Sequence, residues 1–206
     1  MYEKTETILA KIKCLEADLH RELRRKEEEF FYRVERNRVR FSRDVEARHR
    51  RLSSSLHRYL SEASFRNILT VPLIWSLLLS ALLLDLMFTL YHAVCFPVYG
   101  IPKVKRGDYV VIDRIDLQYL NPIEKLNCVY CSYFNGLIAY VQEIAARTEQ
   151  YWCPIKHARQ QMTYHSRYRH FLDYGDAAGY QDRLAEIRRA FADLEKEEAP
   201  DILPGE

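Results

Sequence analysis

Glycine and proline are missing from the first 71 residues of this 206-residue chain, although six glycines and seven prolines follow. A region without helix-breaking residues can form long uninterrupted helices, whereas the later part must contain turns. The chain also has no glycine-rich phosphate-binding loop, which argues against a P-loop nucleotide-binding enzyme. The net charge of +2 averages over two different parts.

The amino-terminal part carries an eleven-residue repeat of apolar residues within a region crowded with arginine and glutamate. Its two series are Ile8, Leu19, Phe30, Phe41, Leu52 and Ile12, Leu23, Val34, Val45, Leu56. Eleven residues in three turns give about 3.67 residues per turn, which predicts a helix whose apolar stripe hardly drifts. We therefore predict an amphipathic, coiled-coil-like helix over residues 1–67, continuous from about Glu3 to Arg66 and roughly 95 Å long.

An apolar stripe of this length needs a partner. Self-association or pairing with another coiled-coil protein is favoured over folding back onto the chain, because no breaker precedes Pro72. Twelve basic residues against seven acidic ones over residues 21–51 would attract acidic lipid or nucleic acid. However, the acidic run 27–29 interrupts this region and no DNA-binding signature accompanies it. A solvated coiled-coil face without a nucleic-acid partner is therefore expected.

A long apolar run, Leu69 to Phe96, dominates residues 68–100. Its length exceeds the roughly 20 residues that cross a hydrocarbon core of about 30 Å, so a single membrane anchor is predicted rather than a buried globular helix. The run starts too far along the chain for a cleaved signal peptide and is too short for two full spans. A partial, re-entrant loop stays an alternative. The lipid bilayer is the first expected partner.

Three polar residues interrupt this run at helical spacing: Asp85, Thr89 and His92. Ionisable groups at that depth are costly and usually face a partner helix, water or a bound ion. Asp85 and His92 are seven residues, or about 10.5 Å, apart along one helix face, so a direct bond between them requires two chains. The alternative is that protonated Asp85 hydrogen-bonds to a nearby group and merely fixes helix packing.

Residues 101–175 read as a small helical domain with one short strand. The segment KRGDYVVIDR predicts a turn followed by a strand. Asn121, Pro122 and Glu124 predict a helix start, and Asn135 with Gly136 predict a break in that helix. An amphipathic helix is predicted over residues 176–198 and a disordered tail over 199–206. The apolar residues of that last helix are Tyr180, Leu184, Ile187, Phe191 and Leu194.

A cysteine and histidine pattern lies within this domain: Cys128, Cys131, Cys153 and His157. Three thiolates and one imidazole are an accepted tetrahedral zinc set, and iron is the less favoured ion. Convergence requires a knuckle at Cys128 and Cys131, because an unbroken helix there would separate them from Cys153. A dithiol redox pair and simple burial of the thiols are the alternatives.

Four segments of the carboxyl-terminal part are distinctive: IPKVKRGDYVVIDR, YLNPIEKLNCVYCSY, NGLIAYVQEIAARTEQYW and CPIKHA. They resemble a family of uncharacterised bacterial inner-membrane proteins over about residues 96–159. The resemblance implies a prokaryotic inner-membrane location and supplies no catalytic residue or substrate.

Five basic residues over 45–67 against four over 97–117 slightly favour a cytoplasmic amino terminus.

The sequence thus predicts a mainly α-helical protein with a long amino-terminal helix, one transmembrane helix and a small helical carboxyl-terminal domain. Its expected function is that of a membrane-anchored scaffold or assembly protein whose small domain is stabilised by zinc. A homo-oligomer is expected, and no catalytic residue is predicted. The alternative is a membrane-bound thiol-redox or metal-handling enzyme that uses Cys128, Cys131 and Cys153.

Overall fold

The computed structural model describes residues 2–35, 38–53, 58, 61 and 64–197, and most of them are helical. The chain divides into two compact units. The first consists of Met1–Ala63 with Ile112–Val129, and the second of Ser64–Val111 with Tyr130–Glu206. The predicted leucine position 56 and the predicted tail 199–206 lie outside the described residues.

The first unit begins with helix α1, Tyr2–Glu29. Strands β1, Tyr32–Glu35, and β2, Arg38–Phe41, then form an antiparallel hairpin. Helix α2 follows over Arg43–Leu52. The continuous helix predicted up to Arg66 is therefore wrong beyond the end of α1.

Aromatic and β-branched residues explain where the predicted helix fails. Phe31 adopts a positive φ of 54°, which turns the chain out of α1. Tyr32 then pairs with Phe41 across the hairpin, and their rings lie 5.8 Å apart. Such cross-strand aromatic pairs stabilise a sheet, and valine at positions 34 and 39 also favours strand over helix. The eleven-residue repeat therefore continues through Val34 and Phe41 without a helix.

The second unit contains the apolar helix α3, Phe65–Tyr99. It is 35 residues long and has a mean hydropathy of 2.1 over its most apolar stretch, so it is long and apolar enough to cross a membrane. No other helix in the described part of the chain meets this test. The prediction of one long apolar helix is confirmed. Gly100 ends the helix with a φ of 65°, a left-handed conformation that glycine adopts without strain.

Helix α4, Pro122–Trp152, is 31 residues long. Its start is the predicted one: the Asn121 side-chain oxygen accepts hydrogen bonds of 3.0 Å from the backbone N–H groups of Ile123 and Glu124. The Glu124 carboxylate in turn accepts the backbone N–H of Asn121 at 2.8 Å. This reciprocal pair is a capping box.

Helices α3 and α4 run in the same direction within the second unit. Near the start of both helices, the Tyr130 O–H donates to the Ile74 carbonyl at 2.9 Å. Near their ends, the rings of Tyr99 and Tyr151 stack with centroids 5.1 Å apart. Two consecutive helices can be parallel only if the connection runs back along their length. We call residues 100–111 of this connection the return segment.

The return segment packs closely against both helices. Its residues Ile101 and Val104 are buried in the same core as Phe96 of α3 and Leu137 of α4. Where the segment passes α4, a Cβ atom on Gly136 would lie 2.6 Å from the Tyr109 carbonyl oxygen. Glycine is therefore needed there for close approach of two backbones.

Two predictions for this region are wrong. Helix α4 continues through Asn135 and Gly136 without a break, because the glycine serves packing rather than a turn. The segment KRGDYVVIDR contains the short 3₁₀ turn Arg106–Asp108 and no strand, and a second such turn, Arg114–Asp116, begins at its last residue.

The predicted carboxyl-terminal helix over 176–198 is divided into α5, Ala177–Ile187, and α6, Ala192–Glu197. The division has a tertiary cause. The Gln150 side chain donates to the carbonyls of Ile187 at 2.9 Å and Ala190 at 3.0 Å. Because these bonds satisfy carbonyls that a continuing helix would otherwise use, the chain can turn between α5 and α6.

Replacing Gly136 with alanine should destabilise the protein by about 1–3 kcal/mol, because the added methyl group would overlap the Tyr109 carbonyl. The melting temperature of the purified protein in detergent measures this loss. Gly107→Ala is the matched control, since nothing lies within 4 Å of a Cβ atom there. Equal melting temperatures for the two variants would show that the return segment does not pass α4 at this position.

Candidate functional site

The side of α3 that faces its own chain is marked by buried and half-buried residues every three or four positions. They are Trp75, Leu78, Ala81, Asp85, Phe88, His92, Phe96 and Tyr99, and Tyr91 and Cys95 beside the last of these are half-buried as well. Asp85 and His92 therefore lie on the protein-facing stripe of the helix. Most other residues of α3 are apolar and exposed.

Asp85 is the centre of a polar cluster built from three parts of the second unit. Both of its carboxylate oxygens accept hydrogen bonds from the Arg106 guanidinium of the return segment, one of them at 2.7 Å. The Tyr133 O–H of α4 donates to Asp85 at 2.8 Å, and the Thr89 O–H of α3 donates at 3.2 Å. The side chain of Asp85 is only 16% exposed. A bidentate arginine with two further donors suits a carboxylate held in its charged form.

His92 has its own partners one to two turns further along α3. Its Nε2 atom accepts the backbone N–H of Val104 at 2.9 Å, and its Nδ1 atom lies 3.3 Å from the Tyr140 hydroxyl. Because Nε2 accepts a hydrogen bond, a neutral ring carries its proton on Nδ1 and donates it to Tyr140. His92 thereby fixes the return segment to α3. The Arg106 guanidinium lies 5.8 Å from the Tyr140 ring centre, which connects the two sets of contacts.

The structure brings together two of the three predicted intramembrane polar residues, Asp85 and Thr89. The prediction that Asp85 and His92 do not bond to each other within one helix is consistent with their separate partners. Pairing between chains is not needed to satisfy either residue, since each finds partners in its own chain.

Arg106, Tyr133 and Tyr140 are site residues that the sequence reasoning missed. One signal was present in the sequence. Tyr133 and Tyr140 are seven residues apart, as are Asp85 and His92. Because the two helices pack in parallel, this equal spacing brings Tyr133 next to Asp85 and Tyr140 next to His92. The match can be recognised only when the parallel direction of the helices is known.

A second buried ion pair holds the other end of the return segment. Arg147 of α4 donates to Glu143 at 2.8 Å and also to the carbonyls of Pro102 at 2.9 Å and Lys103 at 3.1 Å. The Ser166 O–H donates to the same Glu143 carboxylate at 2.6 Å. Arg147 thus supplies hydrogen bonds to backbone groups that no helix or sheet satisfies.

Arg167 fastens the carboxyl-terminal helices to α4. Its side chain is 1% exposed. It donates to the Gln150 side chain, to the Ala190 carbonyl at 2.8 Å and to the Asp193 carboxylate at 2.8 Å. A buried guanidinium with all of these acceptors is compensated for its loss of water.

The Asp193 carboxylate binds three cationic or polar side chains at once: Arg167, Arg169 and His170. Burial alone would raise the pKa of Asp193, but hydrogen bonds from Arg167 and Arg169, with the charge of Arg167, hold that pKa far below its usual range. Burial and the charge of Arg167 lower the pKa of His170. Asp193 therefore stays charged at every physiological pH and serves as a structural anion.

The predicted metal ligands do not converge within one chain. Cys128 and Cys131 lie near the start of α4, and Cys153 follows its last residue. Because the helix is unbroken, 22 residues place Cys131 and Cys153 about 33 Å apart. The expected knuckle at Cys128 and Cys131 is wrong. His157 follows α4, and its backbone N–H is bonded to the Tyr168 hydroxyl at 3.1 Å.

All five cysteines are free thiols. Throughout the part of the chain that the structure describes, no three His, Cys, Asp or Glu side chains are placed to hold a metal ion. Binding of zinc or iron stays a prediction, and with Cys131 and Cys153 about 33 Å apart it would require donors from a second chain.

The Asp85 cluster can therefore position backbone and resist separation of its three parts. Each of its polar groups has a partner of opposite charge or complementary hydrogen bonding, which is the arrangement of a structural site.

Comparison with known proteins gives no match to any family model, any curated protein or any solved structure. The resemblance to bacterial inner-membrane proteins remains a prediction.

Replacing Asp85 with asparagine should lower the stability of the protein by about 1–3 kcal/mol, since Arg106 loses a charged acceptor. The melting temperature in detergent is again the measurement. Asp108→Asn, at an exposed position of the same return segment, is the control and should change little. A melting temperature unaffected by Asp85→Asn would contradict a positioning role for the cluster.

Proposed function

We propose that the protein is a membrane-anchored scaffold or assembly protein, held in the bacterial inner membrane by α3 as a single span with a cytoplasmic amino terminus. The observation that carries this proposal is the outward face of α3. Its apolar side chains have exposed fractions of 70% and more at Leu69, Leu73, Leu79 and Val98. A contiguous apolar surface of this length needs lipid or protein to cover it.

The length of α3 supports a spanning anchor. Its 35 residues extend about 52 Å, whereas a hydrocarbon core of about 30 Å needs only about 20 of them. The helix therefore continues beyond one surface of the core. Tyr99, Tyr151 and Trp152 cluster at its carboxyl-terminal end, with Tyr99 and Trp152 ring centres 5.4 Å apart. Aromatic clusters of this kind are typical of the membrane interface.

The two sides of α3 have different roles in this proposal. The apolar side contacts lipid, while the stripe with Asp85 and His92 binds the return segment and α4. A polar cluster in an apolar helix is tolerated when protein covers it, and here Arg106 and Tyr133 provide that cover. The anchor is thereby joined to the return segment and α4.

Helix α1 provides the surface for assembly. Leu15, Leu19 and Leu23 recur every four residues along it and are exposed, Leu19 by 59%. Exposed leucines in a row on a helix about 42 Å long form a seam that a second helix can cover. We therefore assign self-association to α1. The enzyme alternative gains no support, because Cys131 and Cys153 lie about 33 Å apart.

The proposal predicts that α1 helices pair along this seam in membranes. Leu19→Cys in a chain with all five native cysteines replaced by serine should form a covalent dimer with a short bifunctional maleimide, because Leu19 lies on the exposed leucine row. Ala17→Cys is the matched control: two residues are 200° around a helix, so Ala17 points away from the seam. Gel mobility of the protein from treated membranes is the measurement.

Two results would overturn this assignment. Equal crosslinking from positions 17 and 19, or none from either, would show that α1 does not pair along the leucine row. Release of the protein into the soluble fraction by alkaline carbonate would show that α3 does not anchor it in the bilayer.

A further inference from the structure

The face of α4 that the rest of the chain leaves uncovered carries two small residues, two amides and one isoleucine in a stripe. At spacings of four and three residues, Cys131, Asn135, Ile138, Gln142 and Ala145 are all exposed. We call these five residues the amide stripe. Residues at this spacing lie along one side of a helix.

The amide stripe lies at the level of the apolar part of α3. Tyr130, the residue before Cys131, hydrogen-bonds to Ile74. Tyr140, which lies between Ile138 and Gln142 in sequence, contacts His92. The stretch from Cys131 to Ile138 is thus level with residues of α3 between these two contacts, and Gln142 lies two residues beyond the second of them, before the Thr148 contact with Tyr91. If α3 spans the membrane, as proposed above, the amide stripe lies at bilayer depth.

Lipid is a poor cover for this stripe. Hydrocarbon chains offer no hydrogen-bond partners. A side-chain amide exposed to them therefore loses the hydrogen bonds that it makes with water. The Asn135 side chain uses one N–H to bind the Cys131 carbonyl at 2.9 Å, which leaves a second N–H and the carbonyl oxygen. Gln142 brings another amide to the same face.

We propose that two copies of this chain pair through the amide stripe within the membrane. The argument for a second copy is self-complementarity. An amide is both donor and acceptor, so Asn135 can bind Asn135 of another copy, and Gln142 can bind Gln142 in the same way. Membrane insertion gives both copies the same orientation, and a two-fold axis along the membrane normal then places like residues opposite each other.

The other residues of the stripe fit this pairing. Cys131 and Ala145 are small and lie seven residues to either side of Ile138, so the two helices can approach closely. Ile138, 49% exposed, supplies the apolar contact between the two amides. This surface belongs to α4 and is separate from the leucine row of α1.

The native Cys131 thiol tests the pairing. A chain with Cys14, Cys95, Cys128 and Cys153 replaced by serine retains Cys131 alone, and a short bismaleimide should convert it to a covalent dimer in membranes. Leu83→Cys as the sole cysteine, on the lipid-facing side of α3 and 61% exposed, is the control and should stay monomeric. Asn135→Leu and Gln142→Leu should each weaken dimer formation by about tenfold.

A Cys131 chain that stays monomeric, or that crosslinks no better than the Leu83→Cys chain, overturns the proposal. The proposal rests on a spanning α3, which a separate measurement tests in the wild-type protein. In sealed vesicles, an impermeant maleimide should label only one of the exposed thiols Cys14 and Cys153. Labelling of both from one side would contradict the span, whereas failure at Cys131 alone would contradict only the pairing surface.

Discussion

The parallel direction of α3 and α4 is the constraint on which the second unit depends. Because the chain leaves α3 at one end and must enter α4 at the other, residues 100–111 have to run back between the helices. A segment without helix or sheet bonds needs other partners for its backbone, and Arg147 and His92 supply them. The bidentate pair of Arg106 with Asp85 fixes the segment at mid-length of α3.

This arrangement explains how an acidic residue can sit within an apolar helix. Asp85 is turned toward protein and has three donors, so the remaining circumference of α3 can be apolar and meet lipid. The same packing leaves one side of α4 open with its amides exposed. The amide stripe on α4 thus follows from the same packing as the Asp85 cluster, whereas the leucine row belongs to α1 in the first unit. Both surfaces support the proposed scaffold role.

Local signals in the sequence predicted local structure well. The apolar run gave α3, and Asn121 with Glu124 gave the start of α4. Tertiary features were beyond such signals: Gly136 looks like a helix breaker until the return segment is placed beside it. A break in the helix near Gly136 would also let Cys131 and Cys153 share one zinc site, whereas the unbroken α4 keeps them apart. The eleven-residue repeat was misleading for a different reason, because it records apolar spacing but not the strand preference of Tyr32 and Val34.

The parallel packing of α3 and α4 can be measured directly with pairs of cysteines in an otherwise cysteine-free chain. Tyr99→Cys with Tyr151→Cys should be joined within one chain by a short bifunctional thiol reagent, since the two rings stack 5.1 Å apart. Trp75→Cys with Tyr151→Cys should not react in this way, because these positions lie at opposite ends of the helices. Crosslinking of the second pair and not the first would show that the helices form an antiparallel hairpin and would contradict the account.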